Sequence, residues 1–209
     1  MIPGFHIKKT LFPSEQLRED VQEERKDWEE TQHTFNPNDL IFIDESSVNC
    51  GMTRLYGRAP SNERINDYVP DVRFERESVI AGLSINGIHA PLMFPGTLNG
   101  NVFKTYIKEC LAPTLKPGQI VFMDSLSSHK VSGALDPIYG KGATVLFIPR
   151  YSPDYNPIEK AWSKMKSVLR KLKPRTKDEL LLSMKTALDA ITPSDALGWF
   201  LCTGYGVSF

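Results

Sequence analysis

The sequence predicts an α/β fold, a mixed five-stranded sheet flanked by helices, with an antiparallel meander first and parallel strands after it. Three observations predict it. Residues 40–43 and 120–123 are short continuous apolar runs, as expected of strands buried on both faces. Residues 78–86 and 88–94 flank Asn86-Gly87, a two-residue turn signal, and read as a hairpin. After it, apolar residues at helical spacing alternate with strand-like runs, which places helices over the sheet.

Residues 14–34 are polar, with Leu17, Val21 and Trp28 widely spaced, and read as a charged surface helix starting near Ser14. Phe35-Asn36-Pro37-Asn38 breaks it. This divides the chain into a linker with its N-terminal helix, residues 1–37, and a compact domain, residues 38–209. Residues 52–56 are a further short strand candidate. Residues 57–77 are rich in Arg, Asn, Asp and Pro and read as a long projecting loop, a type of segment that often carries function. In residues 101–111, Val102, Phe103, Tyr106, Ile107 and Cys110 share one helix face; residues 143–148 form the fifth strand. Residues 158–172 are the clearest helix, with Ile158, Ala161, Trp162, Met165, Val168, Leu169 and Leu172 on the 3.6 period. Two more helices are expected over 177–191 and 194–201.

The 209 residues are ample for one buried core, and 41% hydrophobic with 24% charged is a globular composition. The formal net charge is zero, so the whole-chain basic bias of many nucleic-acid binders is absent. The charge is unevenly placed, however. Eight acidic residues stand between Ser14 and Glu30, and eight basic residues with no acidic one lie from Lys160 to Lys177. Cys50, Cys110 and Cys202 show no zinc spacing and suggest a reduced, cytoplasmic protein. No run approaches the roughly 20 apolar residues of a membrane span.

Two apolar strands each run into an aspartate, Asp44 and Asp124. Ligand sites of open α/β sheets lie at the carboxyl ends of parallel strands. Neighbouring strands would therefore bring the two aspartates together, and such a pair needs a cation between its charges. Mg²⁺ suits it, since it takes oxygen ligands and completes its shell with water and phosphate. A third carboxylate, Glu159, follows Asn156-Pro157-Ile158 on the first turn of the clearest helix, with Asn156 as expected N-cap. Each has an ordinary alternative. Asp favours turns after strands, and Asn-x-x-Glu is a helix capping box.

The segments Ile-Phe-Ile-Asp-Glu-Ser (41–46), Val-Phe-Met-Asp-Ser-Leu-Ser-Ser-His-Lys (121–130) and Phe-Ile-Pro-Arg-Tyr-Ser-Pro-Asp-Tyr-Asn-Pro-Ile-Glu-Lys-Ala-Trp (147–162) resemble the three motif blocks of mariner-like insertion-sequence DDE transposases. The 34 residues between Asp124 and Glu159 resemble that group's spacing. The resemblance implies a ribonuclease H-like fold, shared with retroviral integrase, and matches Asp44, Asp124 and Glu159 to the catalytic and metal-binding triad. It implies two Mg²⁺ per site, with Mn²⁺ as substitute, and double-stranded DNA (transposon ends and target) as substrate. It also implies a homodimer when full length, assembled in part through the loop after the first strand. Such a protein would be cytoplasmic, and nucleoid-associated if bacterial. Ser125 departs from the family, which usually has Asn there. The family also carries N-terminal helix-turn-helix modules, for which nothing before Asp44 leaves room, so a chain without end recognition is expected.

Candidate DNA contacts are Arg54, Arg58, His129, Lys130, Arg150, Lys164, Lys166 and Arg170. His129 either touches a phosphate or metal-bound water, or starts a helix. The basic face of residues 160–177 either neutralises phosphates or is solvated. Three functions compete: a transposase catalytic domain that cleaves and transfers DNA strands; a silent fragment acting as a dimerising, inhibitory module; and a ribonuclease H-type nuclease acting on RNA–DNA hybrids, disfavoured by the block from Tyr151 to Glu159.

Overall fold

The computed structural model describes residues 12–60, 62–71, 73–125 and 132–206. Five strands, β1 (Leu40–Val48), β2 (Glu77–Ser84), β3 (Gly87–Pro95), β4 (Ile120–Met123) and β5 (Thr144–Phe147), form one sheet in the order β3-β2-β1-β4-β5. β1, β2 and β3 pair antiparallel, and β1, β4 and β5 pair parallel. The expected meander followed by parallel strands is what forms.

The continuous apolar runs have a direct cause. Leu40 and Phe42 of β1 and Phe122 of β4 face one core, shared with α4 (Ile158–Leu172), α5 (Lys177–Asp189) and α6 (Pro193–Cys202). Ile41, Ile43, Val121 and Met123 face a second core under α2 (Gly100–Thr105), the π-helical turn Tyr106–Leu111 that continues it, and the short α3 (Asp136–Tyr139). Both faces of the central strands are therefore covered, and neither parity of residue is polar.

Several expectations shift. The hairpin turn is Ile85–Asn86, with Gly87 at φ +108° opening β3, one residue earlier than Asn86-Gly87 implied. Residues 52–56 form no strand. The carbonyls of Cys50 and Met52 accept from the Arg175 guanidinium at 2.8 and 3.3 Å, so they are occupied outside any sheet ladder. β1 continues past residue 43 to Val48, because β2 supplies partners as far as Glu77. On its other edge the parallel ladder with β4 ends at the Phe42–Phe122 pair.

The N-terminal helix α1 (Glu19–Gln32) is docked on this body. Val21 is fully buried, Trp28 packs edge-on against Phe122, and its indole N–H donates to the Tyr205 hydroxyl at 3.2 Å. No helix among the described residues is long and apolar enough to cross a membrane, and the three cysteines are free.

Candidate active site

Strand alternation aims the first carboxylate. Asp44 has the parity of Leu40 and Phe42, so it projects to the face on which α4 packs. The Phe42–Phe122 pair, stacked at 4.8 Å, lies two residues before Asp44 on β1 and two before Asp124 after β4. The parallel register thus sets the two aspartates side by side at the point where that ladder ends.

The third carboxylate comes from α4. Its apolar stripe, Ile158, Ala161, Trp162, Met165 and Leu169, is buried against the sheet. That packing places Trp162 over β1, where its indole Nε1 donates to Asp44 Oδ2 at 3.0 Å. One turn earlier, Glu159 joins Asp124 in the wall of a cleft of about 440 Å³, with Ser125, Ile148, Pro149 and Asn156.

The three carboxylates act on one another electrostatically. Burial pushes the Asp44 carboxyl from its ordinary 3.8 up to about 7, and the charges of Glu159 and Asp124 push the same way. The Glu45 backbone N–H and the Trp162 indole oppose that rise. Glu159 is also raised, first by desolvation and further by Asp124, against the pull of the Lys166 ammonium. The adjacent Glu45 takes no part in this group. Its Oε1 accepts from Ser78 Oγ at 2.8 Å and from Arg76 at 3.2 Å.

The capping box, the alternative reading of Glu159, does not form. The N-cap of α4 is Pro157 rather than the expected Asn156, there is no side-chain cap bond, and Asn156 contributes only its backbone carbonyl, to Glu159 N at 3.2 Å. Asn156 is extended (φ −106°, ψ 102°), as a residue before proline must be, and its Oδ1 is buried without a partner. Glu159 is therefore not committed to capping.

The loop carrying this site, residues 148–157, is clamped from outside by α1. Arg25 donates to both Asp154 carboxylate oxygens at 2.7 and 3.0 Å and to Ser152 Oγ at 2.7 Å, and lies 4.3 Å over the Tyr155 ring. The Tyr155 hydroxyl donates to Glu29. Gln16 holds the carbonyl of Tyr151, a residue in the left-handed region at φ +57°. The sequence offers no signal for these pairs, which join residues 126 or more positions apart.

The candidate DNA contacts separate. Arg150 lines the cleft but is paired with Glu24 at 2.7 Å and Asp20 at 2.8 Å. Lys164 is turned to Asp195, which also closes the capping box of α6. Lys166 and Arg170 line a shallow groove with Ser47, Asn49 and Arg76, and Arg170 continues into a second groove with Arg54, Lys171 and Lys173. Arg58 is exposed in the loop after β1. His129 and Lys130 lie outside the described residues.

The donor set fits a hard divalent cation. It offers only carboxylate oxygens, and their mutual repulsion is relieved by positive charge between them. Among the described residues no group of three or more His, Cys, Asp or Glu side chains is already gathered to hold an ion.

Comparison with known proteins agrees with this fold. Among solved structures, the Mos1 transposase paired-end complex with left transposon end superposes with a TM-score of 0.77 at 16% identity, covering 97% of this chain and 64% of that one. The Mos1 mariner paired-end complex with Mn gives 0.76 at 16% identity, over 96% and 64%. The catalytic domain of Mos1 mariner transposase gives 0.62 at 13% identity, over 98% and 100%. The chain thus has the ribonuclease H-like fold of that catalytic domain and spans 64% of the length of the chain in the first complex. No curated protein sequence matches it. The model of the DDE superfamily endonuclease family matches residues 39–181. That span runs from the start of β1 into α5 and takes in all three carboxylates, and on it the chain belongs to the DDE superfamily endonucleases.

Proposed function

We propose that this chain is the catalytic domain of a mariner-like DNA transposase, which cleaves phosphodiesters and transfers strands. The observation that carries the reading is the Asp44 carboxyl, desolvated and pressed by Glu159 and Asp124 until its pKa reaches about 7. A carboxylate cluster of this kind is poorly suited to exist without a cation, and well suited to hold one. The Mos1 complex with Mn supports a divalent metal on the same fold.

Asp44, Asp124 and Glu159 would hold two Mg²⁺ ions, or Mn²⁺ in their place. Bound there, the metals would make a water or DNA 3′-hydroxyl nucleophilic and stabilise the leaving oxygen of an in-line displacement. The protein's own part is positioning. Trp162 fixes the Asp44 carboxylate, α4 fixes Glu159, and α1 fixes the loop between them. Double-stranded DNA is the substrate of this reading. Its phosphates would run along the groove of Lys166 and Arg170, whose remaining cation, Arg76, is paired with Glu45.

Self-association is favoured by a separate observation. Leu55, Tyr56, Ile65, Tyr68 and Val69, all in the segment between β1 and β2, stand more than half exposed. An apolar group of this size on one loop suits a protein surface rather than DNA, and we read it as a homodimer contact.

The test is nicking of duplex DNA in Mg²⁺ or Mn²⁺. The wild type is expected to cut and Asp124→Ala to be inactive. Equal behaviour of the two pure proteins would remove the catalytic reading.

A further inference from the structure

Tyr205, which follows the turn that ends α6, touches the root of each of the three carboxylates. Its ring lies 4.8 Å from that of Phe42, two residues before Asp44, and 6.0 Å from that of Phe122, two before Asp124. Its hydroxyl donates at 2.8 Å to the carbonyl of Tyr155, four residues before Glu159. The same hydroxyl accepts from the Trp28 indole at 3.2 Å, so both of its capacities are used. Tyr205 is 1% exposed. Gly204, at φ +94°, and the Tyr205 N–H, returned to Phe200 O at 2.9 Å, set its entry into the core.

The hydroxyl bond falls where the backbone has little support of its own. α4 starts without a side-chain cap, and Asn156 before it is extended. The first turn is closed by bonds of the 3-10 kind, Glu159 N–H to Asn156 O at 3.2 Å and Lys160 N–H to Pro157 O at 3.1 Å. Such bonds have poorer geometry than α-helical ones. The buried Ile158 packs this turn inward. The bond from Tyr205 fixes the backbone that leads into it, because only Asn156, Pro157 and Ile158 separate the Tyr155 carbonyl from Glu159.

We propose that Tyr205 is a positioning residue for the metal site. Its ring spaces the two strands that lead to Asp44 and Asp124, and its hydroxyl fixes the turn that carries Glu159. The inference rests on the reading of these three carboxylates as metal ligands. Tyr205 itself contacts neither metal nor DNA, and acts through Phe42, Phe122 and Tyr155.

Tyr205→Phe separates the two parts, because it keeps the ring and removes the hydroxyl. Mn²⁺ affinity of the full chain, measured by calorimetry, should fall roughly fivefold, the range of one net hydrogen bond. Amide exchange should quicken at residues 158–160 and stay unchanged in β1 and β4. Nicking of duplex DNA should slow at limiting Mn²⁺ and recover at saturating Mn²⁺, since Glu159 is drawn back into place once the site is filled. Ile107→Val is the control. It lies in the core on the opposite face of the sheet, and should lower Tm without altering any of these readouts. Trp28→Phe leaves both tyrosines in place and should repeat the Tyr205→Phe pattern in weaker form; it carries the comparison if Tyr205→Phe does not fold.

Unchanged Mn²⁺ affinity in the variants overturns the inference. So does an equal fall in Ile107→Val, which would make the loss one of general stability, and so does a rate deficit that persists at saturating Mn²⁺. If wild type binds Mn²⁺ and cuts nothing, the transposase reading fails, while calorimetry and exchange still decide the role of Tyr205. If wild type binds no Mn²⁺, both fail.

Discussion

The indole N–H of Trp162 donates to Asp44 Oδ2 at 3.0 Å, across 118 residues of sequence, from the helix that also carries Glu159. The same side chain is buried in the core between α4 and the sheet. One residue thus ties the packing of α4 to the orientation of the Asp44 carboxylate, a proposed metal ligand. Trp162→Phe keeps a ring and removes the donor. Partners of metal ligands typically change affinity by about 10- to 100-fold. We expect Mn²⁺ affinity at pH 7, measured by calorimetry, to fall by about tenfold. The deficit should shrink at pH 8.5, where Asp44 is ionised without help.

Asp44 makes the metal-free fold pH-sensitive in a defined direction. Its folded carboxyl titrates at about 7 rather than 3.8, chiefly through burial. The folded chain therefore holds this proton more tightly than the unfolded chain. Its contribution to stability is full below pH 4, is lost as pH rises to 7, and is level above that. Asp44→Asn removes the ionisation. In EDTA at pH 8 the variant should melt above wild type, by about 2–4 °C for each kcal/mol recovered, and the gap should close at pH 4. Mg²⁺ should raise the Tm of wild type and leave that of the variant nearly unchanged.

The clamp from α1 should matter to both stability and turnover. Arg25→Ala loses a two-oxygen pair with Asp154, the Ser152 bond and the Tyr155 contact. Charge-assisted bonds at such partly buried sites are worth about 1.5–3 kcal/mol. Denaturation should show a loss of that size. Hydrogen exchange should quicken across residues 150–157 while β1 and β4 stay protected, and nicking should slow as the loop loosens.

The basic residues of α4 should divide by their partners. Arg170 lines both grooves and has no ion pair among the described residues, whereas Lys164 is paired with Asp195. Arg170→Ala should reduce the slope of log affinity against log salt by about 0.9, one phosphate contact. Lys164→Ala should leave that slope alone and lower Tm instead. An unchanged slope for Arg170→Ala would remove the groove as a DNA path.

The sheet was legible because both faces of β1 and β4 are covered, which leaves continuous apolar runs in the sequence. Asp44 and Asp124 were legible because each follows such a run. Glu159 was ambiguous because Asn-x-x-Glu spells a capping box, and α4 has no side-chain cap bond. The docking of α1 was hidden for a different reason. Its charged residues read as solvated, yet Arg25, Glu24 and Glu29 meet partners near residue 150. Polarity marks a surface helix when its partners are water, and complementary charges leave the same mark. At 52–56, where a short strand was expected, the Met52 carbonyl accepts instead from Arg175, far along the chain.

Glu159, Trp162, Lys166 and Arg170 follow one another on α4 at intervals of three, four and four residues. At about 100° per residue they stay on one narrow side of the helix. The proposed metal ligand, the Asp44 anchor and the cationic groove are thus cut on a single thread. Adding or deleting one residue anywhere between Glu159 and Arg170 would turn everything beyond it by about 100°, so that the parts could no longer engage at once. The segment between β1 and β2 is under no such rotational constraint. Related chains should therefore vary freely in length there and keep α4 in strict phase.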